Sequence, residues 1–319
     1  MSAWTAKLFA PPASATSLRD QIALLLDQQR ATWPAFRDGE AALERIRTKQ
    51  LIINGCTVTV QANPGRQIST AAKVDPASIA TRPCFLCPGS LPPLERGIQW
   101  GGFVVLPNPY PIFKNHLTIA ARTHEPQTID KRIDDMIALA RALGPEQFVL
   151  YNGPRCGASA PDHMHFQACR STDVPIFGQL PVAFDTGRTM PLIIGCRTMI
   201  ACGSPDPSVV RQSIESTVEK LTRVSGETQE PMFNLIVFYR EGRYRSVLFP
   251  RAKHRSACYF APPAERLSIS PAAVEMAGIV VVADDTHFDR VDEAAVKAMY
   301  GEVTLDPTRF SRLAKEMCI

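Results

Sequence analysis

No stretch of the chain approaches eighteen uninterrupted apolar residues, so a membrane-spanning helix is not expected. The opening MSAWTAKLFA holds no basic segment followed by an apolar run, which argues against export and for a cytosolic protein. There is no long basic run and no stripe of arginine interleaved with aromatics. With a formal charge of only +4, from 35 basic against 31 acidic residues, a surface dedicated to nucleic acid is not expected either. A local basic site for a small phosphorylated molecule stays open. The nine cysteines are odd in number and scattered, unlike a secreted disulfide framework, so they are expected as free thiols or metal ligands. What is present in quantity is apolar residue: 45% of 319, ample for a packed core of two domains or one larger α/β unit.

Residues 17–49 repeat apolar positions at helical spacing (Ile22, Leu24, Leu25, then Ala41, Leu43, Ile46). Pro34 cannot donate an interior hydrogen bond, so the pattern predicts two helices rather than one. Leu51 to Val60 reads as a hairpin about Asn54-Gly55. Residues 101–106 and 116–120 read as strands joined through Asn108-Pro109-Tyr110-Pro111, Gln127 to Leu143 as a helix stopped by Gly144, and Gln147 to Tyr151 as a further strand. Later, Leu192-Ile193-Ile194 suggests a strand, Asp206-Pro207 caps an amphipathic helix ending at Gly226, and residues 233–239 and 244–249 form a hairpin about Glu241-Gly242. This second strand-turn-strand echoes residues 147–170, with Asn234 placed like Asn152, and reads as a degenerate duplication.

Chemistry concentrates in the segment GASAPDHMHFQA, Gly157 to Ala168. His163, His165 and Gln167 alternate with apolar Met164 and Phe166, as on a half-buried strand with one face in the core. The small residues before it, Asn152-Gly153-Pro154 and Gly157-Ala158-Ser159, let backbone N–H groups approach an anion closely. Two partly buried, hydrogen-bonded histidines would be the plain structural reading of His163 and His165. Cys84 and Cys87 form a Cys-x-x-Cys pair that can present two thiolates to one metal ion. The Pro88-Gly89 that follows argues against the helix a redox pair would need. Arg66, Lys73, Arg251 and Lys253 are either solvent-facing charge or phosphate ligands, and Asn108 is at least a turn former.

The run N-G-P-x-x-G-A-S-x-x-x-H-x-H-x-Q resembles the active-site strand of the histidine triad superfamily, in the branch of galactose-1-phosphate uridylyltransferase, the diadenosine tetraphosphate phosphorylases and the GDP-hexose phosphorylases. The Cys pair in CFLC, the segment from Asn108 to His124 and a looser Pro271-Ala272-x-x-Glu275-x-x-Gly278 pattern add to the resemblance. It implies an α+β fold of two duplicated histidine-triad-like lobes, each an antiparallel half-barrel sheet flanked by helices. The expected division is an N-terminal helical segment (1–50), a catalytic lobe (51–175) and a degenerate second lobe (176–319). The resemblance also implies a structural zinc on Cys84, Cys87, His124 and His163, with His116 the rival of His124. His165 becomes the nucleophile, its second ring nitrogen bonded to the carbonyl of His163, and Gln167 donates to the transferring phosphoryl group. Asn152, Gly157 and Ser159 form the phosphate loop, and Arg66, Lys73, Asn108, Arg251 and Lys253 complete the nucleotide site. The activity so implied is an NDP-hexose phosphorylase working through a nucleotidyl-histidine, with a nucleotide sugar and inorganic phosphate as partners, in a monomer or homodimer. A dinucleoside polyphosphate phosphorylase and an inactive nucleotide-binding protein are the alternatives.

Overall fold

The computed structural model describes residues 3–67, 75–172 and 174–317. Its backbone is a nine-stranded sheet: β3 (Ile98–Trp100), β4 (Phe103–Pro107), β5 (Leu117–Ala121), β6 (Gln147–Asn152), β7 (His165–Arg170), β8 (Met190–Ile194), β9 (Arg197–Ser204), β10 (Phe233–Arg240) and β11 (Arg243–Pro250). They lie in the order β3-β4-β5-β7-β6-β10-β11-β9-β8, and every adjacent pair is antiparallel. A smaller sheet joins the hairpin β1 (Arg47–Ile53) and β2 (Cys56–Ala62) to a parallel β12 (Ile279–Val282). The fold is thus α+β. The order β4-β5-β7-β6 is met at β10 by its repeat, β8-β9-β11-β10 read inward, and each half runs hairpin, helix, hairpin along the chain.

Strand alternation assigns the two faces of the large sheet. Val149, Tyr151, Phe166, Ala168, Leu235 and Val237 point into a core shared with helices α1 (Leu18–Thr32), α3 (Ile133–Leu143) and α4 (Pro207–Ser225). Phe148, Leu150, Cys169, Ile236 and Phe238 point the other way, under the small sheet and α5 (Glu293–Val303). The small sheet covers only part of this second face. Over β4, β5 and β7 the face instead carries Thr118, His165 and Gln167, which line an open cleft. Ser17 caps α1 with a reciprocal Ser17–Asp20 box, α2 (Pro34–Ala42) starts at the expected proline, and α4 runs from an Asp206 cap to Gly226 in the left-handed region.

Four readings change. The helix expected from Gln127 begins at Ile133, because Lys131 adopts a positive φ of 60° and residues 127–130 are drawn into loop contacts. His163 precedes β7 rather than lying in it. Strand β9, buried along its whole length, carries no polar alternation and was not foreseen. Asn234 is not the counterpart of Asn152 in a repeat: it opens β10 where Asn152 closes β6, and the antiparallel register sets the two opposite each other. There Asn234 Nδ2 donates to Asn152 Oδ1 (2.9 Å) and to the Cys156 carbonyl (2.8 Å), while its Oδ1 accepts from Arg251. Asn234→Ala should therefore remove three buried hydrogen bonds, taking this partner from the Cys156 carbonyl and one of two from Asn152 Oδ1 and from Arg251 Nη1, and lower unfolding stability by about 2–4 kcal/mol. Urea denaturation measures it; a loss below about 0.5 kcal/mol would contradict this account.

Candidate active site

Ladder pairing between β6 and β7 ends at Leu150↔Gln167, where the chain splays to admit the loop 153–162. The gap beyond is bridged by a side chain. Gln127 Oε1 accepts from the His165 N–H (2.8 Å), and its Nε2 donates to the carbonyls of His165 and Asn152 (3.0 Å each). One buried amide thus replaces a peptide group and anchors the first residue of β7. Asn152 ties the loop from the other side, its Oδ1 accepting from Asn234 and from the Ala273 N–H (2.8 Å). Gly157 has φ +95°, and a Cβ there would stand 2.6 Å from the Ala272 Cβ, so glycine is required both by conformation and by the close approach of the segment 271–272.

Three imidazoles are oriented by backbone groups. His165 Nδ1 lies 2.8 Å from the His163 carbonyl, so Nδ1 carries the proton and Nε2 holds a lone pair. Burial pushes its pKa down to about 4, against the opposing effect of that backbone bond, so the ring is neutral at neutral pH. His116 accepts from the Ile112 N–H at Nδ1 (3.2 Å), which leaves Nε2–H to donate to Gln167 Oε1 at 2.8 Å. Burial, then the charge of Arg66, lowers its pKa to about 3. With its oxygen so engaged, Gln167 keeps its amide N–H groups for the cleft it lines. His163 donates from Nε2 to the Ala121 carbonyl (2.8 Å), which turns the Nδ1 lone pair toward Cys84 Sγ (3.3 Å) and Cys87 Sγ (3.6 Å).

Cys87 Sγ also lies 3.4 Å from His124 Nδ1, and the ligand atoms of Cys84, Cys87, His124 and His163 all fall within 4.8 Å of one another. A tetrahedron with zinc-like bond lengths has N···S edges of about 3.6 Å, so the four donors fit one metal ion. The rivalry between His124 and His116 is settled by position, since both nitrogens of His116 are engaged elsewhere.

The cleft over β4, β5 and β7 has a volume of about 610 Å³. Arg66, Asn108, Ser159, His165 and Gln167 lie along it, and a recess of about 50 Å³ bounded by Arg66, Asn152, Gly157, Ser159, Gln167 and Glu275 adjoins it. Arg66 Nη1 donates to the Tyr110 carbonyl (2.7 Å), and Asn108 closes its turn by accepting from the Tyr110 N–H (2.9 Å) while donating to Thr118 (3.1 Å). Lys73 lies outside the described residues. Arg251 and Lys253 do not reach the cleft. Arg251 is 3% exposed and donates to the carbonyls of Pro271, Lys253, His254 and Val303 and to Asn234, and Lys253 pairs with Glu302 at the surface. A buried guanidinium answering that many carbonyls is a strut, which the position of Arg251 after an apolar strand did not reveal.

Comparison with known proteins follows the same lines. Residues 25–170 match a family model described as a domain of unknown function, DUF4922, and residues 211–319 match the GDPGP1-like C-terminal domain. The second match agrees with the resemblance of the His163 to Gln167 segment to the branch of the GDP-hexose and diadenosine tetraphosphate phosphorylases, enzymes of the nucleotidyltransferase and phosphorylase class. The fold is similar to that of yeast Ap4A phosphorylase Apa2. Against the Ap4A complex the TM-score is 0.57 at 14% identity, over 91% of this chain and 97% of that one. Against the AMP complex it is 0.58 at 15% identity, over 88% and 97%. No curated protein matches it in sequence.

Sequence reasoning missed Gln127, which reads as a helix start, and the role of His116. It also left Glu275 as part of a pattern only; burial raises its pKa, its carboxylate accepts from the Ala272 N–H (2.8 Å), and it walls the recess. The E three residues after Ala272, at a helix start, was the available signal. Purified protein should carry about one metal ion per chain by elemental mass spectrometry, and Cys87→Ser should carry almost none and melt several degrees lower. Equal metal content in both would show that these four residues are not the site.

Proposed function

We propose that the protein transfers a nucleoside monophosphate through His165, as an NDP-hexose phosphorylase. The observation that carries this reading is a neutral imidazole whose Nε2 lone pair faces the same cleft as the Gln167 amide, Ser159 and Arg66. Nε2 attacks the α-phosphorus of a nucleotide sugar, and the bond from that phosphorus to the bridging oxygen breaks, its electron pair leaving with hexose 1-phosphate. Inorganic phosphate then attacks the same phosphorus, the P–N bond breaks, and NDP departs as Nε2 recovers its lone pair. The His163 carbonyl stabilises the positive charge that forms on the ring, since Nδ1–H stays bonded to it throughout. Gln167 donates to the nonbridging oxygens without having a proton to lose, which favours transfer over hydrolysis. Ser159 and Arg66, beside the recess, hold the leaving and entering phosphates.

Cys84, Cys87, His124 and His163 suit zinc, which would act as a structural cross-link between the Cys loop and the residue ahead of β7. The repeated strand order supports residues 51–175 and 176–319 as copies of one unit, of which only the first keeps the His pair. Among the described residues no helix is long and apolar enough to cross a membrane, and the eight described cysteines are unpaired, which suits a cytosolic setting. A second reading, dinucleoside polyphosphate phosphorylase, is favoured by the likeness to a structure holding Ap4A.

Incubation with a panel of nucleotide sugars and diadenosine tetraphosphate, without phosphate, should give a protein heavier by one nucleoside monophosphate in intact mass. His165→Gly should stay unlabelled while still binding nucleotide. Release of hexose 1-phosphate points to the first reading and release of ATP to the second; an unlabelled wild type under every condition would defeat both. Because the His165 pKa is lowered from 6.5 to about 4, the ring stays unprotonated well below neutrality. The rate of labelling should therefore hold level from pH 8 to about 5.5, where an unperturbed imidazole would have lost roughly nine-tenths of its free base. A fall with a midpoint near 6.5 would show that His165 is not so desolvated.

A further inference from the structure

Behind the segment that carries His116 the molecule holds a second groove of about 530 Å³, with no lining residue in common with the cleft. It lies between α2 with the turn after it, the hairpin β1–β2 and residues 112–114. Leu43, Ile46 and Phe113 line it with apolar surface, and Thr48 and Thr59 add hydroxyls. Its charged residues are four basic, Arg30, Arg37, Lys114 and Arg170, against two acidic, Glu40 and Glu44, a net charge of +2.

Part of that positive charge has no protein partner. Arg30 pairs with Glu40 (2.6 Å), and Arg37 with its neighbour Asp38 (3.5 Å). The side chains of Lys114 and Arg170 make no hydrogen bond, ion pair or ring contact with any described residue. Arg170 is half-buried at the last position of β7, and a guanidinium drawn from water without an acceptor is costly unless a ligand supplies one. Its planar fork suits two oxygens of one carboxylate or phosphate, and Lys114, exposed at the rim, adds a point charge. The apolar lining then calls for a body of matching character behind the charged head.

The groove also reaches the cleft from behind. Among the described residues, Ile112 alone lines both the groove and the recess beside Gln167. Its carbonyl accepts from Gln61 Nε2, on the groove (3.1 Å), and its N–H donates to His116 Nδ1 (3.2 Å), whose Nε2–H turns Gln167. The Arg30–Glu40 pair holds the same segment at Asn115: Arg30 Nη2 donates to Asn115 Oδ1 (2.8 Å), and the Asn115 N–H donates to Glu40 Oε1 (3.2 Å). Side chains of the groove thus fix residues 112–116, and His116 fixes Gln167. We propose that the groove is a second ligand site, which takes a small organic anion with an apolar body, and that its occupant steadies residues 112–116 and, through His116, the aim of Gln167. Binding there does not depend on which reaction the cleft performs.

Anilinonaphthalene sulfonate, an anionic head on a flat apolar body, is the probe, titrated into the whole protein by fluorescence. Binding should be saturable, and benzoate and phenyl phosphate should displace the probe where neutral benzyl alcohol does not. The stronger competitor tells a carboxylate ligand from a phosphate one. Lys114→Glu and Arg170→Gln should each weaken binding about tenfold, the loss of one charge-assisted hydrogen bond. Neither residue lines the cleft, so probe held in the cleft would not respond. Lys114 is exposed, so its variant should melt as wild type does and decides alone if Arg170→Gln does not fold. Hydrogen exchange over residues 108–118 gives the second readout. With probe at about ten times its Kd, openings that must release it become about tenfold rarer, so exchange there should slow by up to that factor. No saturable binding, binding unchanged in either folded variant, benzyl alcohol competing as well as benzoate, or exchange at 108–118 indifferent to the probe overturns the proposal.

Discussion

The rest of the site depends on the bond from His165 Nδ1 to the carbonyl of His163. It fixes the tautomer, aims Nε2 at the cleft and gives any charge developing on the ring a place to be stabilised. The residue supplying that carbonyl is itself held at three points: its own ring donates to β5 through Ala121, its other nitrogen faces the Cys84–Cys87 pair, and its N–H bonds the Ala160 carbonyl (3.1 Å). A metal at the four donors would therefore act on the proposed nucleophile, His165, only through the geometry of one peptide. This is how a site remote from the cleft can matter to the orientation of His165.

Burial does a second kind of work. His165 and His116 are both taken out of water and both held neutral, one as an acceptor toward the cleft and one as the donor that turns Gln167. The positive charge lies instead on Arg66, whose desolvation is offset in part by Glu275. A cleft that keeps its imidazoles uncharged while holding one guanidinium near the recess separates the proposed nucleophile from the proposed phosphate ligand by protonation state. That division follows from which side chains the sheet buries and which it leaves at the edge of the small sheet.

The short elements near Asn and Gly were legible in advance. The turn at Asn54-Gly55, the break at Pro34, the Asp206 cap and the Glu241-Gly242 hairpin are local features, and all are found where the local chemistry puts them. Less legible were features whose cause lies far along the chain. The loop at Gln127 forms because its amide fills a gap in a ladder between β6 and β7. Arg251 looks like a phosphate ligand from the sequence and turns out to answer backbone carbonyls from three segments and the Asn234 side chain.

From residue order alone came the donor types and their spacing: a Cys-x-x-Cys pair, His-x-His-x-Gln on alternating strand positions, and small residues ahead of them. Alternation in a strand is local, so it could say that His165 and Gln167 share a face. It could not say which face stays uncovered, which of His116 and His124 joins the thiols, or that Asn234 meets Asn152 across β6 and β10. Those are decided by the pairing of strands some eighty residues apart and by where the small sheet stops. Register and coverage are properties of the assembled sheet, and no single segment contains them.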